Sequence, residues 1–483
     1  MAKQEMIPLG QVQIEGAGNY HSLLAIQINS EANAHGRLSC RMRLEEDIVK
    51  VSEESREGKE ITATLSDGTI LFCGICTECR FSTMSEYAEM ELTVKSYSIL
   101  ADQDKHSKTF QDAGKTISNV FYEIFSAYNA SLDIVDDMEI SDILVQDGET
   151  DWAFIVRVAN QFGMDVYVDA TLPYIRLQIG AVNGKSEEAG DNCILLTESK
   201  NLEEMRLLNY NEQQDYATYQ FRGQSIQSYN AVISAGNQVN GNVVKKAGLL
   251  SDKGGLVNRI DLQKASYSRS SYQSATATLL STRILSGEVI EVKEGEPKVK
   301  VKFDVDSEQD SSTAQELPYE NVMNNSFYCM PDVHDKVYAY VDNMGEAVVL
   351  GSKRTDTGDC FFDKPEEKAI TSLDNMIQLK TDSLALMANR EAGTQNENTK
   401  ISIELNQNDG ISVHATGNIF LTSLKDVTMV ATKNECLNLG EHIERLNTTY
   451  NNHSAEGALK FSEAGGDDQE YKNQVLRWFG DVG

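Results

Sequence analysis

No apolar run in this 483-residue chain approaches the roughly 20 residues that span a bilayer as a helix. A transmembrane helix is therefore not expected. Met1 to Gly10 lack the charged-then-apolar pattern of an export signal, so cytoplasmic synthesis without Sec export is the simplest expectation. Basic residues are scarce. The chain has 43 Lys and Arg against 74 Asp and Glu, a formal charge of −31. No Lys/Arg cluster offsets that charge, and such a surface repels nucleic acid and anionic membrane. It also opposes self-association, so any oligomer needs a large apolar or main-chain interface.

Catalytic patterns are missing as well. The seven histidines are dispersed, with no H-E-x-x-H, no G-x-S-x-G elbow and no G-x₄-G-K-[ST] loop. No catalytic residue, cofactor or metal is expected, and acidic pairs such as Asp136-Asp137 read as solvated surface. His414 follows an inward Val413, so it is expected to face outward. Eight cysteines include Cys73, Cys76 and Cys79, a C-x₂-C-x₂-C spacing seen in iron–sulfur sites. They lie in a strand-like segment after the turn Ser66-Asp67-Gly68. On a strand, Cys73 and Cys79 would share a face roughly 20 Å apart and Cys76 would point the other way. Reduced, buried thiols are the expectation.

The strongest pattern that is present lies between Lys400 and Thr432. Ile403, Ile411, Ile419 and Val427 recur every eight residues, and so do Leu405, Val413, Leu421 and Met429. Turn residues separate the pairs, so each block predicts a short strand with apolar residues at i and i+2 on one face. Upstream, Ile377 with Leu379 and Leu384 with Leu386 follow the rule loosely. Two apolar side chains per eight residues cannot bury themselves alone, and stacked repeats must share a core. Three chains pointing these pairs at one axis would do so, giving a triple-stranded intertwined β-helix needle formed by a homotrimer. An antiparallel meander is the other reading of the same spacing.

The rest of the chain reads as mainly β with some α. Ile61 to Leu65, Leu71 to Phe81 and Glu89 to Tyr97 alternate as strands. Ile117, Val120, Phe121, Ile124 and Phe125 form a helical stripe that Thr116 can cap. A second helix, capped by Thr150, carries Trp152, Ile155, Val156 and Ala159 and ends at Gly163. A Gly/Asn-rich link is expected around Gly236 to Gly254. Val299, Val301, Phe303 and Val305 share one face of a strand within a compact module, which suggests a five-stranded OB-type barrel. The expected organisation is a hub of two β-barrel-like subdomains with helices (1–264), a linker helix (265–285), an OB-fold domain (286–354), a needle (355–436) and a tip or tail (437–483). Within the tail, Tyr471, Val475, Leu476, Trp478 and Phe479 lie in an amphipathic helix that could dock a partner or pack on its own trimer.

In this order the parts resemble the VgrG family, the fused hub and spike of contractile tails. The resemblance rests on Asp151-Trp-Ala-Phe-Ile-Val-Arg-Val-Ala-Asn-Gln-Phe-Gly163 and Gly74-Ile-Cys-Thr77 in the hub. In the barrel it rests on Gly287-Glu-Val-Ile-Glu-Val292 and Met330-Pro-Asp-Val-His-Asp-Lys-Val337. Family members carry Gly where this chain has His334. The resemblance implies a homotrimer whose hub receives a hexameric inner tube or tube-initiator protein and contacts other baseplate proteins. It also implies a spike that meets the target membrane only by mechanical penetration, carrying a PAAR-like tip protein or effector cargo. His442 and His453 lack the H-x-H pairing of a family-type tip metal. Only about 17 residues separate barrel and needle, too few for the lysozyme domain some relatives insert. A tail-fibre adhesin that binds surface glycan, or a baseplate peptidoglycan hydrolase, is the alternative function.

Overall fold

The computed structural model describes residues 6–44, 56–83, 87–135, 137–180, 186–187, 193–199, 223–228, 232–264, 283–320, 330–342, 345–353, 368–372, 375–388, 401–416, 418–420, 424, 434–439 and 442–447. The chain divides into two compact units, residues 1–355 and 356–483.

The first unit opens with six strands: β1 (Val12–Glu15), β2 (Tyr20–Glu31), β3 (Arg37–Leu44), β4 (Glu60–Leu65), β5 (Ile70–Thr83) and β6 (Ala88–Ser96). Their alternation buries one face. Leu38, Met42, Ile61, Phe72, Met90 and Leu92 are wholly enclosed, and each such side chain contributes about 1.5–3 kcal/mol by leaving water. On β5 a bulge falls between Cys76 and Glu78. An extra residue inverts the in–out parity, so Cys76 and Cys79 pack into the same core while Cys73 belongs to the neighbouring one. The expectation that Cys73 and Cys79 share a face is corrected by this single bulge.

The chain then leaves the sheet through β7 (Lys105–Phe110), α1 (Ile117–Phe125), β8 (Ala130–Ile134), β9 (Leu144–Thr150), α2 (Asp151–Gln161), β10 (Val166–Val168) and β11 (Ile175–Ile179). Strands β7 and β9 form a two-stranded ribbon, and β10-β11-β8 a small sheet. Both helices start where their caps predict. The Thr116 N–H donates to Asn119 Oδ1 at 3.0 Å, and Thr150 Oγ1 accepts from the Ala153 N–H at 3.2 Å. Helix α2 ends in a Schellman turn. The Met164 N–H donates to the Ala159 carbonyl and the Gly163 N–H to that of Asn160. Gly163 takes φ +74°, the left-handed value that a Cβ disfavours.

Next come β12 (Ser186–Glu187), β13 (Cys193–Ser199), β14 (Gly223–Ser228), β15 (Gln238–Val239), β16 (Asn242–Asp252) and β17 (Gly255–Lys264). The expected Gly/Asn-rich link is thus largely strand β16, and Gly241 and Gly254 occupy positive-φ turns at its two ends. Strand β16 pairs with β2 from Lys246–Glu31 to Leu250–Gln27, merging twelve described strands into one sheet with the path β1-β4-β5-β6-β3-β2-β16-β17-β14-β13.

Strands β18 (Arg283–Val292), β19 (Lys298–Phe303), β20 (Glu316–Pro318), β21 (Lys336–Val341) and β22 (Ala347–Lys353) follow. Arg283–Leu285, expected at the end of a linker helix, are strand; the rest of that expected helix, 265–282, lies outside the described residues. The sheet order is β20-β19-β18-β21-β22, and a parallel bridge between Tyr319 and Val349 closes it. That is the connectivity of an OB barrel. Val299, Val301, Phe303, Val337 and Val349 fill the inside, while Lys298, Lys300 and Lys336 pair with acidic neighbours outside.

In the second unit, β23 (Lys368–Ser372), β24 (Asn375–Leu379), β25 (Ser383–Ala388), β26 (Ile401–Asn406) and β27 (Gly410–Ala415) form a five-stranded sheet, each strand antiparallel to the next. Strands β28 (Asn434–Leu439) and β29 (His442–Asn447) make a hairpin.

Candidate assembly surface

The pairing register explains the octads. Ile370, Ile377, Leu386, Ile403 and Val413 lie directly opposite one another across five strands, and Leu379, Leu384, Leu405 and Ile411 form a second row on the same face. A two-residue shift within each strand keeps both rows on one side. The unusual feature is which side is covered. Met376, Gln378, Ala385 and Met387, on the opposite face, are buried, whereas the apolar rows are 40–72% exposed except for half-buried Leu384. In β26 the alternation is inverted: Ile401, Ile403 and Leu405 are exposed while Ser402, Glu404 and Asn406 are half-buried. Within one chain the sheet is the antiparallel meander, and its apolar face has no cover among the described residues.

Ile419, expected in the third octad, lies on irregular chain and is 55% exposed. Leu421, Val427, Met429, Tyr471, Val475, Leu476, Trp478 and Phe479 lie outside the described residues. Ile370 and Ile401 were missed by the spacing argument. Each sits on the exposed face through strand alternation, although neither has an octad partner in sequence. His414 lies opposite Ser402 on the other face and is exposed.

In the first unit, the Asp-Trp segment builds a polar knot that holds three elements together. Asp151 is buried and accepts hydrogen bonds from the Tyr128 hydroxyl (2.7 Å) and Gln146 Nε2 (2.7 Å), with His106 Nδ1 at 3.0 Å. Trp152 stacks on His35, ring centroids 4.3 Å apart. Arg157 reaches both carboxylate oxygens of Glu149 and the Val145 carbonyl. A bidentate pair of this kind fixes geometry as well as charge. His35 lies between Ser98 Oγ (2.8 Å) and Asp102 Oδ2 (3.1 Å). The order is that of a nucleophile–base–acid chain, but Ser98 is wholly buried, so its hydroxyl cannot meet a substrate. Burial pushes the Cys40 thiol up to about 12 and the Cys76 thiol up to about 11. Both are neutral, poor nucleophiles and poor metal ligands. Among the described residues no group of three or more His, Cys, Asp or Glu is arranged to hold a metal, and no helix is long and apolar enough to cross a membrane.

A family model described as phage tail baseplate hub (GPD) matches residues 34–308. That stretch includes most of the large sheet, both helices, the polar knot and the first barrel strands, and it exceeds half the chain. The chain belongs to the phage tail baseplate hub family. Two solved structures share the fold of this hub protein. One is an E. coli component of the type VI secretion system, itself described as structurally similar to T4 bacteriophage tail proteins gp27 and gp5. It is 12% identical with a TM-score of 0.50, over 71% of this chain and 99% of that one. The other comes from a Francisella PdpA–VgrG complex and is 10% identical with a TM-score of 0.50, over 81% of this chain and 83% of that one. No curated protein sequence matches.

Proposed function

We propose that this baseplate hub protein is the non-enzymatic, trimeric hub and spike of a contractile particle. In this reading residues 1–264 receive a hexameric inner tube, 286–354 form the barrel and 355–436 a piercing needle. The tail beyond carries a tip or cargo protein. The observation that carries the reading is the double row of exposed Ile, Leu and Val on β23–β27. Soluble chains rarely leave a contiguous apolar patch of this kind open, and a net charge of −31 makes adventitious association less favourable. Two further copies presenting the same rows would cover it with like side chains around one axis, which one sheet cannot do for itself. The work of penetration then comes from outside the chain, whose own contribution is stiffness.

Light scattering on the full chain tests this. A mass near three times 53.6 kDa supports the shared-axis needle. A monomer at micromolar concentration, with a 356–483 fragment equally monomeric, decides against it. The peptidoglycan hydrolase reading requires turnover of peptidoglycan that one carboxylate substitution destroys.

A further inference from the structure

The barrel follows the hub in sequence, yet several of its described attachments reach back to a ribbon nearly two hundred residues earlier. Asp306, just beyond β19, is buried and accepts from the Thr109 N–H at 2.7 Å and the Thr109 hydroxyl at 2.5 Å. Among the described residues the ribbon β7–β9 has two strands, so the N–H groups on the outer edge of β7 need partners other than a further described strand. Asp306 satisfies one of them. Beside it, Gln111 Nε2 donates to the Val301 carbonyl at 3.1 Å. At the start of the barrel, Arg283 pairs with Asp147 at 2.7 Å.

The ribbon side also enters the barrel. Ile143, just before β9, is buried in the barrel's own core, where Val145 packs against it. Its N–H donates to the Gly345 carbonyl at 3.2 Å. Gly345 sits at φ +96°, and a Cβ there would lie 2.6 Å from the Ile143 carbonyl oxygen, so the approach requires glycine. Burial raises the Asp306 carboxyl above its ordinary range, against the downward pull of the Thr109 hydrogen bonds and of Lys108 and Lys302. A carboxylate kept in so poorly solvated a place depends on its partners.

We infer that the β7–β9 ribbon pins the barrel to the hub through Asp306, making the two one cooperative unit. The pin does not depend on trimerisation or on the spike reading. A fixed joint would let an axial load pass from hub to barrel without bending there.

Hydrogen exchange on the full chain under mild denaturant is the test. In the natural protein, β19 and β21 of the barrel should open together with β3 and β6 of the hub. Asp306→Ala should release the barrel alone, lowering its protection and that of the Thr109 amide on the order of ten- to a hundredfold while the hub stays protected. Thr109→Val keeps the N–H donor and should give a smaller loss at the same amides, and it carries the test if Asp306→Ala does not fold. Ser286→Ala, which removes the Ser286–Asp304 hydrogen bond on the barrel exterior, should leave the coupling intact. Independent opening of hub and barrel in the natural protein would overturn the inference. So would unchanged protection at Thr109 and Ile143 in both ribbon-contact variants, or an equal loss throughout hub and barrel.

Discussion

His35 shows how a single side chain can report on the hub. Burial holds its pKa below the ordinary 6.5, outweighing the hydrogen bond and charge of Asp102, which raise it. The neutral ring is therefore favoured in the fold. The sign follows: its contribution is complete above the unfolded pKa and is lost as pH falls through the depressed folded value. The melting temperature of the natural hub should decline as the solution is acidified below about pH 6.5. His35→Gln should flatten that part of the pH profile, and an unchanged profile would dismiss His35 as its source. His334 is a second case. It holds φ +77°, a left-handed conformation that costs an L-residue about 1–2 kcal/mol. That is consistent with the glycine expected there in relatives. Its exposed contact with Glu288 at 2.8 Å returns little. His334→Gly should raise barrel stability by about 1 kcal/mol in denaturant titration; a loss would mean that the contact with Glu288 outweighs the strain.

At the scale of elements, what could be read from sequence was what is local. Caps, helical stripes and octads depend on neighbours within about ten residues, and Thr116, Thr150 and Gly163 stand where that logic puts them, while the first two octads are strands that carry Ile403 with Leu405 and Ile411 with Val413 on one face. The bulge after Cys76 could not be read, because it is defined by slippage against β6 rather than by β5 itself. Strand β16 was hidden by its glycines: Gly241 and Gly254 occupy the turns at its ends, and Gly248 lies within it, paired with Asn29 and Arg259. Its partner β2 lies more than two hundred residues away, and no local pattern announces such a pairing. The polar knot was missed for the same reason: His35, Ser98, Asp102, Asp151 and Arg157 are scattered in sequence and meet only in space. The octads support a prediction at this scale. Ile403→Asp with Ile411→Asp should abolish the assembled species, because a carboxylate buried without a partner costs several kcal/mol. The hub's melting should be unaffected, and an assembly of unchanged mass would remove the rows from the interface.

For the whole molecule, charge and apolar surface pull in opposite directions. Each copy carries −31, so bringing copies together raises electrostatic self-repulsion that covering the rows of β23–β27 must exceed. Repulsion between exposed charges fades with the Debye length, about 30 Å at 0.01 M salt and about 8 Å at 0.15 M. The hydrophobic contribution is not screened, and strongly hydrated salts strengthen it. Assembly through the apolar rows should therefore tighten as salt is raised across that range, and for a trimer the concentration for half-assembly, which goes as the square root of the dissociation constant, falls by about threefold for every ~1.4 kcal/mol of repulsion removed per trimer. An interface held by ion pairs behaves in the opposite way, weakening as salt screens its attraction. Light scattering over a dilution series at the two salt concentrations separates these cases. Tightening at constant limiting mass favours apolar rows opposed by charge, whereas dissociation at 0.15 M would move the interface onto charged surface and away from the octads.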